Sequence, residues 1–181
     1  MNLQNLNKEA LGYEAQKAYV TTMMAIVGNG LAAASRVDDT VRRELSAFPA
    51  GYQVCMTVFP SGPDFFLRLD GQGQGTVIPA PVGKPDLTIR FKHMAHAFLV
   101  FSFQEGTAQA FANDRMIADG NVSHAIRLVR CLNRMETLIL PKFVAQRAVK
   151  RYDDPSLLDK VGKAARIYGL VAKSLIAGAK S

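Results

Sequence analysis

Tryptophan is absent from the 181 residues, and cysteine occurs only twice, at Cys55 and Cys131. The two lie far apart and form no C-x-x-C, so they are expected as thiols in a reducing cytoplasm. No secretory signal is expected at the start, because Lys8, Glu9, Glu14 and Lys17 break up any apolar h-region. A clean membrane-spanning run is missing as well. The longest uncharged stretch, Ala18 to Ser35, contains Thr21, Thr22, Gly28, Asn29 and Gly30 and reads as a buried helix and its end. No internal repeat or low-complexity tract is found. What is present is an apolar share of 49 %, enough for a sizeable core, beside 20 % charged residues. That fits one domain, or one domain with helical extensions.

Basic charge is scarce in one part of the chain and abundant in another. Residues 1–114 hold 9 Lys/Arg against 10 Asp/Glu, whereas residues 115–181 hold 13 against 5, so the whole basic excess lies in the last third. Such asymmetry suggests an anionic partner, either a membrane surface or a nucleic acid.

Apolar spacing of three and four over residues 4–33 predicts a helix, which Gly28 and Gly30 would end or kink. A second helix covers about 39–48. The period then changes to two: Tyr52, Val54, Met56 and Val58 share one side of a strand. "FFLRL" (65–69), "GTVI" (75–78) and "DLTIRF" (86–91) are further strands, the first two joined by a hairpin at Asp70-Gly71. "HMAHAFLVFSF" (93–103) reads as a helix, and a short one runs from Gly106 to Phe111. "RMIA" (115–118) is a fifth strand, and a helix follows from about Val122 towards Leu140. Pro141 fits the first turn of another helix, and Asp154-Pro155 starts a last one through about Gly178.

Each chemical motif meets a simpler account. "GQGQG" (71–75) is followed by a strand rather than a helix, so it is a glycine-rich turn and not a dinucleotide loop. His93 and His96 share a helix face but have no third metal ligand at suitable spacing. Ser123 and His124 beside Asp119 carry the residue types of a nucleophilic triad, yet adjacent helix positions diverge by about 100° and there is no G-x-S-x-G elbow. No catalytic group, metal or cofactor is therefore expected. Asn121 is expected to cap the helix that follows it. The basic run Arg127, Arg130, Arg134, Lys142, Arg147, Lys150 and Arg151 lacks the interleaved aromatics of a nucleic-acid surface, and nucleic acid is not expected as a partner. In the last helix Leu157, Leu158, Val161, Tyr168, Val171 and Leu175 fall opposite Lys160, Lys163 and Arg166. Such a helix suits either an anionic interface or packing on its own domain.

The stretch "GYQVCMTVFPSGPDFFLRLDGQGQGTVIPAPVGKPDLTIRF" resembles the first four strands of the type-two sterol carrier protein domain family. In that family a short polar link precedes an A/P-D-hydrophobic-T-hydrophobic strand. "AFANDRMIADGNVSHAIRL" is similar to the segment of the family in which a helix ends in Phe, a strand follows and a helix starts after G-D/N. Phe111, Met116, Ile117, Gly120, Asn121, Ala125 and Leu128 occupy those places. The resemblance covers about Phe48 to Leu140. It implies an α+β fold: a five-stranded, mainly antiparallel sheet covered on one face by helices, here with extra N- and C-terminal helices. The resulting division is 1–47 as a helical extension, 48–140 as the core and 141–181 as basic amphipathic helices. The chain ends Ala179-Lys180-Ser181, unlike the S-K-L signal of animal members. The "MxxLILPKF"-like stretch loosely resembles bacterial accessory proteins of ubiquinone biosynthesis that carry this domain.

The resemblance also implies an apolar tunnel that binds lipid without chemistry. Half of the ten Phe lie between 91 and 111. The residues expected to line the tunnel are Leu87, Ile89, Phe91, Phe98, Phe101, Phe103, Phe111, Ile117, Ile126, Val129 and Leu132. The expected ligand is a sterol, acyl lipid or polyprenyl quinone precursor. Lys160, Lys163 and Arg166 are expected to contact an anionic membrane from the cytoplasm. The alternative is a scaffold for lipid or ubiquinone biosynthesis, with the terminal helices as contacts for biosynthetic proteins.

Overall fold

The computed structural model describes residues 3–139 and 157–178, with side chains described for residues 12–139 and 161–177. The chain begins with a 35-residue helix, α1 (Leu3–Val37). Its inner face recurs at helical spacing, with Val20, Met24, Val27, Leu31 and Ala34 all buried. By length and composition Gly12–Val37 could cross a membrane, yet just over half of its most apolar stretch is buried within the protein. The glycines expected to end or kink this helix lie inside it. A Cβ at position 28 would sit 3.0 Å from the Phe65 ring, and one at position 30 would sit 2.9 Å from Met135 Sδ. They are the places where α1 approaches the sheet and another helix closely, so packing outweighs their poor helix propensity.

Asp38 stops α1 in an extended conformation and accepts from the backbone N–H groups of Thr40 and Val41, capping α2 (Asp39–Leu45). Strands β1 (Gln53–Val58), β2 (Asp64–Leu69), β3 (Gly75–Ile78), β4 (Leu87–Phe91) and β5 (Met116–Asp119) form one sheet in the order β3-β2-β1-β4-β5. Only β1 and β4 pair in parallel; the other pairs are antiparallel. The fold is thus α+β with a mostly antiparallel sheet, as the resemblance implies.

Alternation sets the two faces of the sheet. Val54, Met56 and Val58 stand opposite Leu87, Ile89 and Phe91 in register, and Leu67 stands opposite Val54 on the other side. This face is buried and meets α1, α3 (Met94–Phe101) and α5 (Val122–Ile139). The short helix α4 (Thr107–Ala112) precedes β5, and α6 (Leu157–Gly178) packs on α1 and α5. A helix beginning at Pro141 falls outside the described residues.

The glycine-rich stretch is a hairpin turn between β2 and β3. Asp70 closes it by accepting from the Gln72 and Gln74 N–H groups, at 2.7 and 2.9 Å. Gly73 has φ +90°, and a Cβ there would lie 2.1 Å from the Arg42 carbonyl oxygen. Gly120 plays the same part after β5, where φ is +139° and a Cβ would meet the Asp86 carbonyl oxygen at 2.6 Å. Asn121 then caps α5 through the Ser123 and His124 N–H groups. The three sequence segments share one core: Leu31, Leu67, Leu132 and Ile167 belong to the same buried cluster.

Candidate functional site

Between the sheet and the helices lies a cavity of about 310 Å³. Small-molecule sites typically measure about 300–1,000 Å³, so this one has room for a slender ligand. Its floor is the inner face of the sheet, with Met56, Ile89, Phe91 and Met116. One wall is α1, whose Tyr19, Met23, Ile26 and Val27 follow the three-four spacing of a single helix face. The opposite wall is α5, contributing Leu128, Val129, Leu132, Met135, Glu136 and Ile139. The corner between α3 and α4 closes one end with Val100, Phe101, Phe103, Thr107 and Phe111, and Tyr168 of α6 reaches the lining from outside. Four of the seven methionines in the chain line this space.

Phe103 stands in the left-handed region at φ 59°, just beyond the end of α3. Its N–H donates to the Val100 carbonyl at 3.0 Å, so the tight turn is what carries the ring to the cavity. A bulky residue seldom adopts this conformation, and the turn holds it there at a cost of order 1 kcal/mol or more.

Seven of the eleven residues expected at the tunnel line the cavity: Ile89, Phe91, Phe101, Phe103, Phe111, Val129 and Leu132. The other four lie elsewhere, each for a geometric reason. Leu87 is on the inner face but fully buried in the core, and Phe98 packs edge-on against Tyr19, with ring centroids 5.4 Å apart. Ile117 pairs in register with Arg90, which puts it on the outer face; its neighbour Met116, opposite Phe91, points inward instead. Ile126 is exposed, about 160° around α5 from Leu128. Sequence reasoning overlooked the α1 wall, which its spacing could have revealed. It also overlooked Glu136, four residues after Leu132 on the cavity stripe.

The polar groups in the lining are few. Tyr19 Oη donates to the Phe101 carbonyl at 3.1 Å, and Tyr168 Oη donates to the Ile139 carbonyl at 2.6 Å. Glu136 has no ion-pair or hydrogen-bond partner among the described residues, and burial pushes its carboxyl up to about 8. At neutral pH it is therefore mainly a neutral acid.

The residues of the suspected triad are dispersed. Asp119 pairs with Lys84 at 3.1 Å, while the His124 ring lies between Phe48 and Tyr52, with centroids 4.5 and 4.9 Å away. His93 and His96 stack edge to face at 5.1 Å, and burial lowers His96 below the usual imidazole range, with His93 and Arg115 adding to the shift. Among the described residues no three His, Cys, Asp or Glu side chains gather as a metal site.

The basic last third is partly neutralised by two carboxylates of the first third, Asp38 and Glu44. Arg127 and Arg130 both approach the Glu44 carboxylate, at 2.9 and 3.6 Å. Arg134 and Lys163 each come within 3.0 Å of Asp38, whose side chain is 1 % exposed. Burial alone would raise the Asp38 acid, but hydrogen bonds from Arg134, Lys163 and the Val41 N–H hold it below the ordinary carboxylate range. Lys163, expected at a membrane, thus turns inward to Asp38. Arg166 is exposed, and the side chain of Lys160 lies outside the described residues. α6 packs on its own domain through Ile167 and Val171, while Val161, Tyr168, Leu175 and Ile176 stay exposed.

No family model matches the chain. No curated protein matches it by sequence either. Solved structures do. UbiJ-SCP2, a ubiquinone synthesis protein, superposes with a TM-score of 0.41 at 14 % identity, covering 71 % of this chain and 98 % of its own. The sterol carrier protein domain 2 of Helicoverpa armigera gives 0.42 at 16 % identity, covering 65 % and 87 %. Sterol Carrier Protein 2 from Yarrowia lipolytica in its apo form gives 0.40 at 17 %, covering 61 % and 86 %. At such identities and overlaps these likenesses speak to neither ligand nor role.

Proposed function

We propose that the chain is a non-catalytic binder of one lipid molecule, whose apolar tail occupies the cavity between the sheet, α1 and α5. The observation that carries this reading is the cavity itself: about 310 Å³ with a lining that is aliphatic, aromatic and thioether almost throughout. Each buried CH₂ contributes about 0.8 kcal/mol, so a ten-carbon tail gains roughly 8 kcal/mol before the cost of immobilising it. That is enough for a useful carrier and too little for irreversible capture. The helices beyond residues 48–140, considered above as protein contacts, supply cavity wall through Tyr19, Met23, Ile26 and Tyr168. This favours a carrier over a pure scaffold. Exposed Arg166 and Lys173 on α6 fit a weak, salt-sensitive contact with an anionic bilayer from which lipid is collected.

Native mass spectrometry of the purified protein should detect a co-purifying lipid, or one added lipid per chain after delipidation. Leu132→Trp, which fills the cavity from α5, should reduce that occupancy at least about tenfold while the protein stays folded. Failure to bind any of sterols, fatty alcohols, fatty acids, phospholipids and polyprenyl quinones would refute the reading.

A further inference from the structure

The Glu136 carboxyl is more than an apolar tail requires. It occupies the cavity stripe of α5 between Leu132 and Ile139, and it has no partner among the described residues. Among the described residues no lysine or arginine lines the cavity to neutralise it. The Tyr19 and Tyr168 hydroxyls already donate to backbone carbonyls. Glu136 is partly buried, and an acid with no protein partner in an apolar lining gives an advantage to a ligand able to hydrogen-bond it.

We infer that Glu136 reads the polar end of the ligand, so that the cavity selects an amphiphile with a neutral hydroxyl or carbonyl head over one with a carboxylate or an ammonium. The inference rests on the lipid-binding reading above. A neutral carboxyl can donate its O–H to a head-group oxygen and accept from a head-group hydroxyl through its C=O. A ligand carboxylate would find no cation in the described lining and would face a second acid. A ligand ammonium would have to be stripped of water together with an ionised Glu136, and that double desolvation opposes the attraction it creates.

Burial favours the neutral form, since it pushes the Glu136 acid up to about 8. The other titratable groups in the described lining are Tyr19 on α1 and Tyr168 on α6; β1, β4, β5, α3 and α4 contribute none. Alcohol binding should therefore be constant below about pH 8 and weaken above it, as the entering chain would have to strip water from a carboxylate.

The test compares dodecanol, dodecanoic acid and dodecylamine as competitors of a fluorescent fatty alcohol, using the delipidated full chain at pH 6.5 and pH 9.5. The wild type should prefer dodecanol to dodecanoic acid by about tenfold or more at pH 6.5, the worth of one well-placed hydrogen bond. Glu136→Gln, which keeps a donor and an acceptor, should retain the preference for alcohol and lose its pH dependence. Glu136→Leu should bind dodecanol about tenfold more weakly and so narrow the alcohol-to-acid ratio, while both charged heads still pay for desolvation in the apolar lining. Preference for dodecylamine, or an alcohol-to-acid ratio unchanged in Glu136→Leu, overturns the assignment of Glu136. Absence of binding by all three probes overturns the lipid reading itself, so the two failures are distinguishable.

Discussion

Replacing Asp38 by alanine should be among the most damaging single substitutions in this protein. Its carboxylate is 1 % exposed and accepts from Arg134 of α5 and Lys163 of α6, whose own side chains are 20 % and 22 % exposed. It also caps α2 through the Thr40 and Val41 N–H groups, at 3.1 Å each. Removing one partner of a buried ion pair typically costs about 3–5 kcal/mol, because the remaining charge stays desolvated. Loss of a helix cap accounts for about 1 kcal/mol of such a total. Asparagine caps as well as aspartate does, so Asp38→Asn should be less harmful than Asp38→Ala by that increment while still losing both ion pairs. Urea unfolding near pH 7 measures both differences. The pH dependence has a definite sign: the folded acid lies below its ordinary range, so its contribution is complete above that range and is lost as pH falls through the folded value. An Asp38→Ala loss under about 1 kcal/mol, or Asp38→Asn unfolding like the wild type, would refute the view that this carboxylate ties α5 and α6 to the α1–α2 corner.

Gly73→Ala should destabilise by more than about 2 kcal/mol, because the added methyl combines a positive φ with contact against the Arg42 carbonyl; Gly83→Ala, strained but open, should cost only about 1 kcal/mol. Gly28→Ala should also lose stability in thermal unfolding, since the Phe65 ring at 3.0 Å cancels the gain in helix propensity. Burial raises the Cys55 thiol to about 11 and the Cys131 thiol to about 12, so neither should react with a thiol reagent at pH 8 until the protein unfolds. Arg166→Glu should weaken co-sedimentation with anionic liposomes at low salt without changing the unfolding midpoint. Lys163→Glu should instead lower that midpoint, because it sets a second carboxylate against Asp38.

Order and type of the elements were legible because alternation and helical spacing are local signals: Leu87, Ile89 and Phe91 announce a half-buried strand, and Asn121 announces a helix start. Fine orientation was not. The β5 segment is only four residues long, and Met116 and Ile117 are both apolar, so nothing local says which faces inward; pairing with β4 decides it. Gly28 and Gly30 looked like breakers because their partners, Phe65 and Met135, are distant in sequence. The basic excess looked like a surface for an anionic partner because Asp38 and Glu44 lie far up the chain from Arg127, Arg134 and Lys163. Pairing by tertiary structure cannot be counted along a sequence. Glu136 was the signal most open to detection, as a charged residue at an apolar stripe position.

The methionine lining has a consequence for how occupancy can be observed. Met23, Met56, Met116 and Met135 face the space a ligand would fill, whereas Met24 and Met94 are buried without lining it. Thioethers oxidise to polar sulfoxides wherever peroxide can reach them. Met23 is the least buried of the four, so in an empty cavity it would be the first within reach of a small oxidant, and a bound chain would shield it while leaving Met24 and Met94 as internal standards. Oxidative damage would then fall on the unloaded protein first, turning its wall polar and withdrawing it from the pool able to bind.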